Sequence, residues 1–376
     1  MRICIVTSSF PMNNDDAFAA AGKACRDFSL ELEIAGHEVY VFAPKFKGLE
    51  TSFGRLKIKR FSWGGSGKRL SSLNPFNIRD IAEIVRFFYF GKKELVNFIS
   101  DYKIEKVFAM WAVPGGLFAL LVKKKMNIPY SVWALGADIW VYGKLPVLKN
   151  VVKKVLVGAE FLYADGIELC KDVKKISGKK CKFLPHVSIV KIDQFTPVTL
   201  NSGKTNFLFI GRLEAPKGID ILIDALNLFV KEEKNIHLFV IGDGPYKKMI
   251  SAKVSEKKSE KYVSLLGWVE QKTLVSYLKS CDVLVIPSRI ESIPCVYSEA
   301  MTAGIPVIAS DVGDMGFITK KYNVGRVARP RDPLALKNEM KAFLKDDRNI
   351  FKQNTSKLAN QWKISTVVQA YLNDIQ

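Results

Sequence analysis

Two doubly wound α/β domains are what this chain of 376 residues predicts. Three observations predict them. Apolar runs of strand length alternate with stretches of helical pattern, the alternation starts afresh just after residue 200, and glycine-containing turns close several runs where strands would end. A polar stretch at 187–204, with Asp193-Gln-Phe-Thr-Pro197 and Asn201-Ser-Gly203, separates the halves. The expected organisation is a Rossmann-like domain at 1–195, a second at 196–360, and a terminal helix at 361–376 that crosses back to the first. Ligands of open α/β sheets sit at the carboxyl ends of strands, so both domains are expected to turn loops toward a common cleft.

In the first half, residues 2–7 read as a buried strand, followed by a polar loop at 8–16. A helix over about 17–35 follows, closed by Gly36, because glycine takes the left-handed conformation that ends helices. Strands are expected at 38–43, 106–111 and 130–134, with a helix at 117–126. In the second half the expected strands are 206–210, 237–241, 263–266, 283–287 and 306–310, and 219–230 is a helix. Trp362, Ile364, Val367, Val368, Tyr371 and Leu372 give the end of the chain a helical period.

The composition is that of a globular protein, 48% hydrophobic and 25% charged. The longest uncharged run, 107–122, is broken by Pro114-Gly115-Gly116 and falls short of the ~20 residues a spanning helix needs. The first apolar run, 3–6, is too short for a secretory signal. Six cysteines without a Cys-x-x-Cys read as reduced, buried thiols in a cytoplasmic protein, and three widely spaced histidines argue against a metal site. The net charge of +20 is uneven: residues 1–195 carry 31 Lys+Arg against 18 Asp+Glu. Such a half expects an anionic partner, whether a phosphorylated substrate, a lipid surface or nucleic acid. Nucleic-acid binding would also want a reading helix or basic residues interleaved with exposed aromatics, and of these requirements only the charge is present.

The chemistry concentrates at strand ends of the second half. Phe209-Ile-Gly-Arg-Leu-Glu-Ala-Pro-Lys-Gly-Ile-Asp220 follows a strand and opens a helix. Gly211 permits a tight turn, and Arg212 and Lys217 bring two cations suited to a diphosphate. Gly242, in the turn Gly242-Asp-Gly-Pro245, suits close backbone approach to a ligand. Glu291 lies in a loop, and Glu299 well inside the helix that follows. Between them Pro294 suits the first helical turn, and the amides of Cys295 and Val296 would open the helix as an anion site. Carboxylates there can grip sugar hydroxyls while amides hold phosphate.

With these elements in this order, the chain resembles the retaining glycosyltransferases of family 4 (glycosyl transferases group 1), which have the GT-B fold. The carriers are the glutamate pair Glu291 and Glu299, Gly211, Arg212, Leu213, Lys217 and Gly218, the Gly-Asp-Gly-Pro turn, Leu266-Gly267-Trp268, and Glu299-Ala-Met with the later Gly304-Ile-Pro-Val-Ile. The match runs through 205–335 and is looser in the first half, at Gly36-His37-Glu38-Val39, Pro114-Gly115-Gly116 and Gly136-Ala137-Asp138. Two positions depart: Leu135 stands where the family usually has a histidine, and Asn13-Asn14-Asp15-Asp16-Ala17 replaces its twin-glycine loop.

The resemblance implies that Arg212 and Lys217 bind a donor diphosphate, Glu291 the sugar and Glu299 the ribose. Pro294, Cys295 and Val296 would line the sugar and phosphate, and Leu266, Gly267, Trp268 and Val269 would take the nucleobase. Asp16, Trp111 and Asp138 are the candidates for acceptor or sugar contact. The implied reaction is transfer of a hexosyl group from a UDP-, GDP- or ADP-sugar to a hydroxyl, with retained configuration. No Asp-x-Asp triplet is present to hold a metal on the diphosphate, so no metal or cofactor is expected. The enzymatic alternatives are a GT-B epimerase or phosphorylase. Arg86-Phe-Phe-Tyr-Phe-Gly-Lys-Lys93 and the loop 61–70 combine aromatics with cations. That composition suits an anionic membrane at the inner face of the cell and a lipid-linked or cell-surface glycan acceptor. The competing reading places the aromatics in the core.

Overall fold

The computed structural model describes residues 1–13, 22–46, 51–64, 70, 73–74, 77–190, 195–200 and 203–376. The chain forms two compact units, Met1–His186 with Ile364–Gln376, and Val187–Lys363. The division falls at 186/187 instead of 195/196, and the chain rejoins the first unit at 364 instead of 361. Backbone hydrogen bonding explains the first difference. The amides of Thr196 and Val198 donate to Ser276 Oγ and Ser280 Oγ, each at 3.2 Å, and Gln271 Nε2 donates to the Ile189 carbonyl at 3.3 Å. The polar stretch is therefore stitched to the second unit.

The first unit holds a parallel sheet of seven strands: β1 (Arg2–Val6), β2 (Glu38–Pro44), β3 (Lys57–Phe61), β4 (Lys106–Met110), β5 (Tyr130–Ala134), β6 (Leu162–Ala164) and β7 (Cys181–Phe183). Their order is β3-β2-β1-β4-β5-β6-β7. Past their first residues the strands at its centre are almost wholly apolar and buried, as suits a parallel sheet covered on both faces. β3, Lys-Ile-Lys-Arg-Phe, escapes a search for apolar runs because an edge strand tolerates cations, which also discourage pairing with another chain. β6 and β7 have three residues each, too few for a period.

Under one face Phe28, Phe108, Trp133 and Tyr371 form an aromatic cluster, with Phe108 and Tyr371 centroids 4.5 Å apart. Tyr371 belongs to the terminal helix Ile364–Ile375, and Tyr163 Oη donates to Asp374 Oδ2 at 2.7 Å. The final helix thus seals the first sheet.

The helix Ile78–Asp101 is capped by Asn77, whose side chain accepts from the Arg79 and Asp80 amides. It buries Phe87, Gly91, Leu95 and Phe98. Phe87 packs on Phe61 and Phe118, so the aromatic run 87–90 divides: Phe87 is core, whereas Tyr89 is 62% exposed. Neither reading of that run holds for all of it.

The second unit holds β8 (Thr205–Ile210), β9 (Ile236–Ile241), β10 (Val263–Gly267), β11 (Val283–Ile286), β12 (Val307–Ser310) and β13 (Gly325–Ala328), all parallel in the order β10-β9-β8-β11-β12-β13. The helix Ile219–Phe229 follows β8 and buries seven of its eleven residues. No helix among the described residues is long and apolar enough to cross a membrane.

Candidate active site at the strand ends of the second unit

The strand order places the sequence motifs side by side. Along the carboxyl edge, Gly267 ends β10 and Trp268 and Val269 follow it, Gly242 follows β9, the loop 211–218 follows β8, and the Glu291 loop follows β11. Leu266 lies within β10, and Trp268 is 44% exposed there.

Glycine makes the loops interlock. A Cβ on Gly242, at φ +142°, would lie 1.9 Å from the Gly211 carbonyl oxygen. The close approach expected at Gly242 is therefore to its neighbouring loop. One on Gly218, at φ +69°, would lie 1.9 Å from the Pro287 carbonyl. The Gly211 amide donates to Ile241 O at 3.0 Å, and the Gly242 amide to Gly267 O at 2.8 Å. Three strand ends are thereby clamped together by backbone alone.

Onto this frame Lys217 brings its ammonium into an ion pair with Glu291 Oε2. Burial works to lower the Lys217 pKa, but the Glu291 charge and hydrogen bond, with lesser help from Cys295 and Glu214, leave it raised. Lys217 is an ammonium at neutral pH, already housed beside a carboxylate. Arg212 reaches Glu214 Oε2 at 3.0 Å and is half-exposed. The helix Cys295–Ala303 begins next to this pair, with the positive end of its dipole at Cys295 and Val296. Pro294 is the residue before the first helical turn and not within it. Glu299 sits one turn along that helix and is half-buried. Among the described residues no cluster of His, Cys, Asp or Glu could hold a metal.

In the first unit Asp16 lies outside the described residues. Trp111 is not the end of a strand: β4 stops at Met110, and Trp111 takes φ +64° at the start of a tight turn through Gly116. Asp138 is fully buried, and its oxygens accept from the amides of Ala112 at 2.6 Å and Leu135 at 3.2 Å. Its carboxylate ties the turn after β4 to the turn after β5, and offers no outward oxygen for a sugar.

The comparisons with known proteins agree with this architecture. The sequence profile of the glycosyl transferases group 1 matches residues 190–362. An uncharacterised glycosyltransferase of Methanocaldococcus jannaschii is 30% identical over 274 residues, which cover 72% of each chain. The chain belongs to the glycosyl transferases group 1. Solved structures place this group 1 glycosyltransferase in the GT-B fold. Sucrose-phosphate synthase from Thermosynechococcus elongatus superposes with a TM-score of 0.80 at 19% identity, covering 100% of this chain and 99% of that one. Anabaena HepE, solved with UDP-glucose, gives 0.73 at 16% with the same coverage.

Three residues at the candidate site of this glycosyltransferase escape sequence reasoning. Glu214 is the partner of Arg212, and Arg289 and Asp220 form a two-bond ion pair at 2.7 and 2.5 Å. Arg289 also donates from Nη1 to the Ala215 carbonyl at 2.7 Å, and from its amide to the Pro216 carbonyl at 2.8 Å. It braces the loop that carries Lys217. The only sequence signal is the cation after β11 and the acid opening the helix after β8, separated by 69 positions. Arg289→Ala is expected to raise the donor KM about tenfold with a smaller fall in kcat, because it loosens Lys217 without removing it. Steady-state kinetics with varied donor checks this, and Arg289→Lys should restore little of the loss because a lysine cannot span both oxygens.

Two buried groups set opposing pH dependences. Burial raises the Asp138 carboxyl from 3.8 to about 6, partly offset by its amide donors. Burial also lowers His186, packed edge-on against Trp133, from 6.5 to about 4. Between about pH 4 and 6 the folded chain holds more proton at Asp138 than the unfolded chain, so this group's contribution to stability falls as pH rises. At His186 the unfolded chain holds more, so its contribution rises with pH. Each amounts to about 2–3 kcal/mol at most, and they largely cancel. Relative to wild type, Asp138→Asn should gain stability from pH 4 to 6, and His186→Gln should lose it. Urea midpoints at four pH values check both signs.

Proposed function

We propose that this glycosyltransferase moves a hexosyl group from a nucleoside-diphosphate sugar (UDP, GDP or ADP) to a hydroxyl acceptor. It does so with retention of the anomeric configuration and without a metal ion. The observation that carries the reading is the Lys217–Glu291 pair at the clamped strand ends, an ammonium and a carboxylate beside a helix N-terminus. Arg212 and Lys217 neutralise the diphosphate as the bond from the anomeric carbon to phosphate oxygen breaks and its electron pair passes to that oxygen. Glu291 takes hydroxyls of the sugar, Glu299 takes the ribose, and the edge at Leu266, Gly267, Trp268 and Val269 takes the base. The acceptor oxygen bonds to the anomeric carbon on the same face, and its proton leaves with the departing phosphate oxygen. Within the first unit, Asp138 acts by positioning the turn that carries Trp111, the residue proposed to touch the acceptor.

The acceptor proposed is a lipid-linked or cell-surface glycan met at an anionic membrane on the cytoplasmic side. The helix Ile78–Asp101 supports this. Ile78 is 83% exposed, Ile81, Val85 and Tyr89 continue its stripe at helical spacing, and Arg79, Arg86, Lys92 and Lys93 are exposed around it. Each such cation contributes about 1 kcal/mol near an anionic surface. Co-sedimentation should rise with the anionic lipid content of vesicles and fall in Ile78→Ser/Val85→Ser. Indifference to lipid charge removes the membrane from the proposal.

The donor reading is tested by incubating the protein with a panel of nucleotide sugars in EDTA and measuring nucleoside diphosphate release, with product anomers read by NMR. One donor should release diphosphate and yield a product of unchanged configuration. An inverted product, or release abolished by EDTA, overturns retention or metal independence respectively.

A further inference from the structure

In a parallel βα unit the helix returns the chain to the amino edge of the sheet, so the carboxyl ends of Ile219–Phe229 and Lys247–Glu256 lie away from the Lys217 loop. There, with the turn Glu260–Tyr262, they enclose an open cavity of about 590 Å³. That is the size of a small-molecule site. Five lysines line it, Lys231, Lys234, Lys257, Lys258 and Lys261. Lys231, Lys258 and Lys261 have no carboxylate partner among the described residues. The cavity's own carboxylate, Asp224, is taken by Lys253 at 2.6 Å. Lys234 and Lys261 place their ammonium groups 6.0 and 5.1 Å from the centroid of buried Tyr262.

One cation per helix end would answer the two helix dipoles; five exceed that need. Lys258 holds φ +53°, where glycine or asparagine is the easier choice. Asn227, also in the lining, buries both its side-chain nitrogen and oxygen with no hydrogen-bond partner among the described residues. The open Nδ2 of this carboxamide, in a lining with ammonium groups that have no carboxylate partner, asks for an anionic acceptor.

We propose that this cavity binds an oligophosphate, an anion with at least two linked phosphate groups, separately from the sugar-transfer site. Phosphate suits it because ammonium groups act as point charges and need no planar partner. The lysines take the charge, and Asn227 Nδ2 donates to a phosphate oxygen.

Calorimetric titration of the full chain with inorganic tripolyphosphate tests this. Lys231→Glu/Lys258→Glu/Lys261→Glu should weaken binding more than tenfold, Asn227→Ala should weaken it about threefold, and Lys217→Ala should leave it within twofold. Reversing Lys123, Lys124 and Lys125 makes the same change in net charge in the first unit and should have little effect. ATP in place of tripolyphosphate separates the sources: tighter binding points to a nucleotide, equal binding to the inorganic chain. The proposal fails if binding does not saturate, if it is lost in Lys217→Ala and kept in the cavity variant, or if both triple reversals weaken it equally.

Discussion

Lys217→Ala is expected to lower kcat with a nucleotide-sugar donor by about 10²–10³-fold. The ammonium is partly enclosed at the strand ends, and its charge is secured by Glu291. Its removal takes positive charge from the position proposed for the departing diphosphate. It also strands the Glu291 carboxylate, whose side chain is 20% exposed. Folding should suffer less than catalysis, by about 1–2 kcal/mol, because both partners keep some water. Glu299→Gln should mainly raise the donor KM, since the carboxylate proposed to hold the ribose does not meet the breaking bond. Single-turnover rates and thermal melts separate the effects. Near-wild-type turnover in both variants would sink the site assignment.

Gly242→Ala is expected to cost about 2–4 kcal/mol of stability and most of the donor affinity. The added methyl would lie 1.9 Å from the Gly211 carbonyl oxygen, in a backbone conformation that side chains rarely adopt. Neither strand end can retreat, since each is held by a backbone hydrogen bond to its neighbour. The strain must then displace Arg212 and its loop. Gly36→Ala is the control. Gly36 also has positive φ, +89°, but nothing within 4 Å of the added carbon, so it should cost only about 1 kcal/mol and leave kinetics unchanged. Urea unfolding and donor KM on both variants check the contrast; equal losses would show that φ alone matters.

Local pattern carried most of the fold. The strands at 130–134 and 206–210 and the helix at 117–126 were legible because burial on both sheet faces produces apolar runs with sharp polar ends. β3 was not, because its alternating cations suit an edge. Of the site, the residues with strong chemical identity stood out: Arg212, Lys217, Glu291 and Glu299. Glu214, Asp220 and Arg289 did not, since an ion pair leaves no period in sequence and any exposed acid or base looks the same before its neighbours are known. Asp138 stood out as a candidate for acceptor or sugar contact, but its direction was not legible: only the fold turns both its oxygens onto backbone amides.

By itself, then, the sequence determined that the chain makes two parallel α/β units and that glycine-bearing loops and charged groups end the strands of the second. Side-chain period and turn chemistry are local properties, written within a dozen residues. The tertiary structure decided which charges meet. Lys217 and Glu291 are 74 positions apart and become partners because β8 and β11 pair in the sheet. It also decided that Phe87 faces the core while Tyr89 faces out, and that residues 187–200 belong to the second unit. Such outcomes follow from strand order and packing against distant elements, and no local period records them.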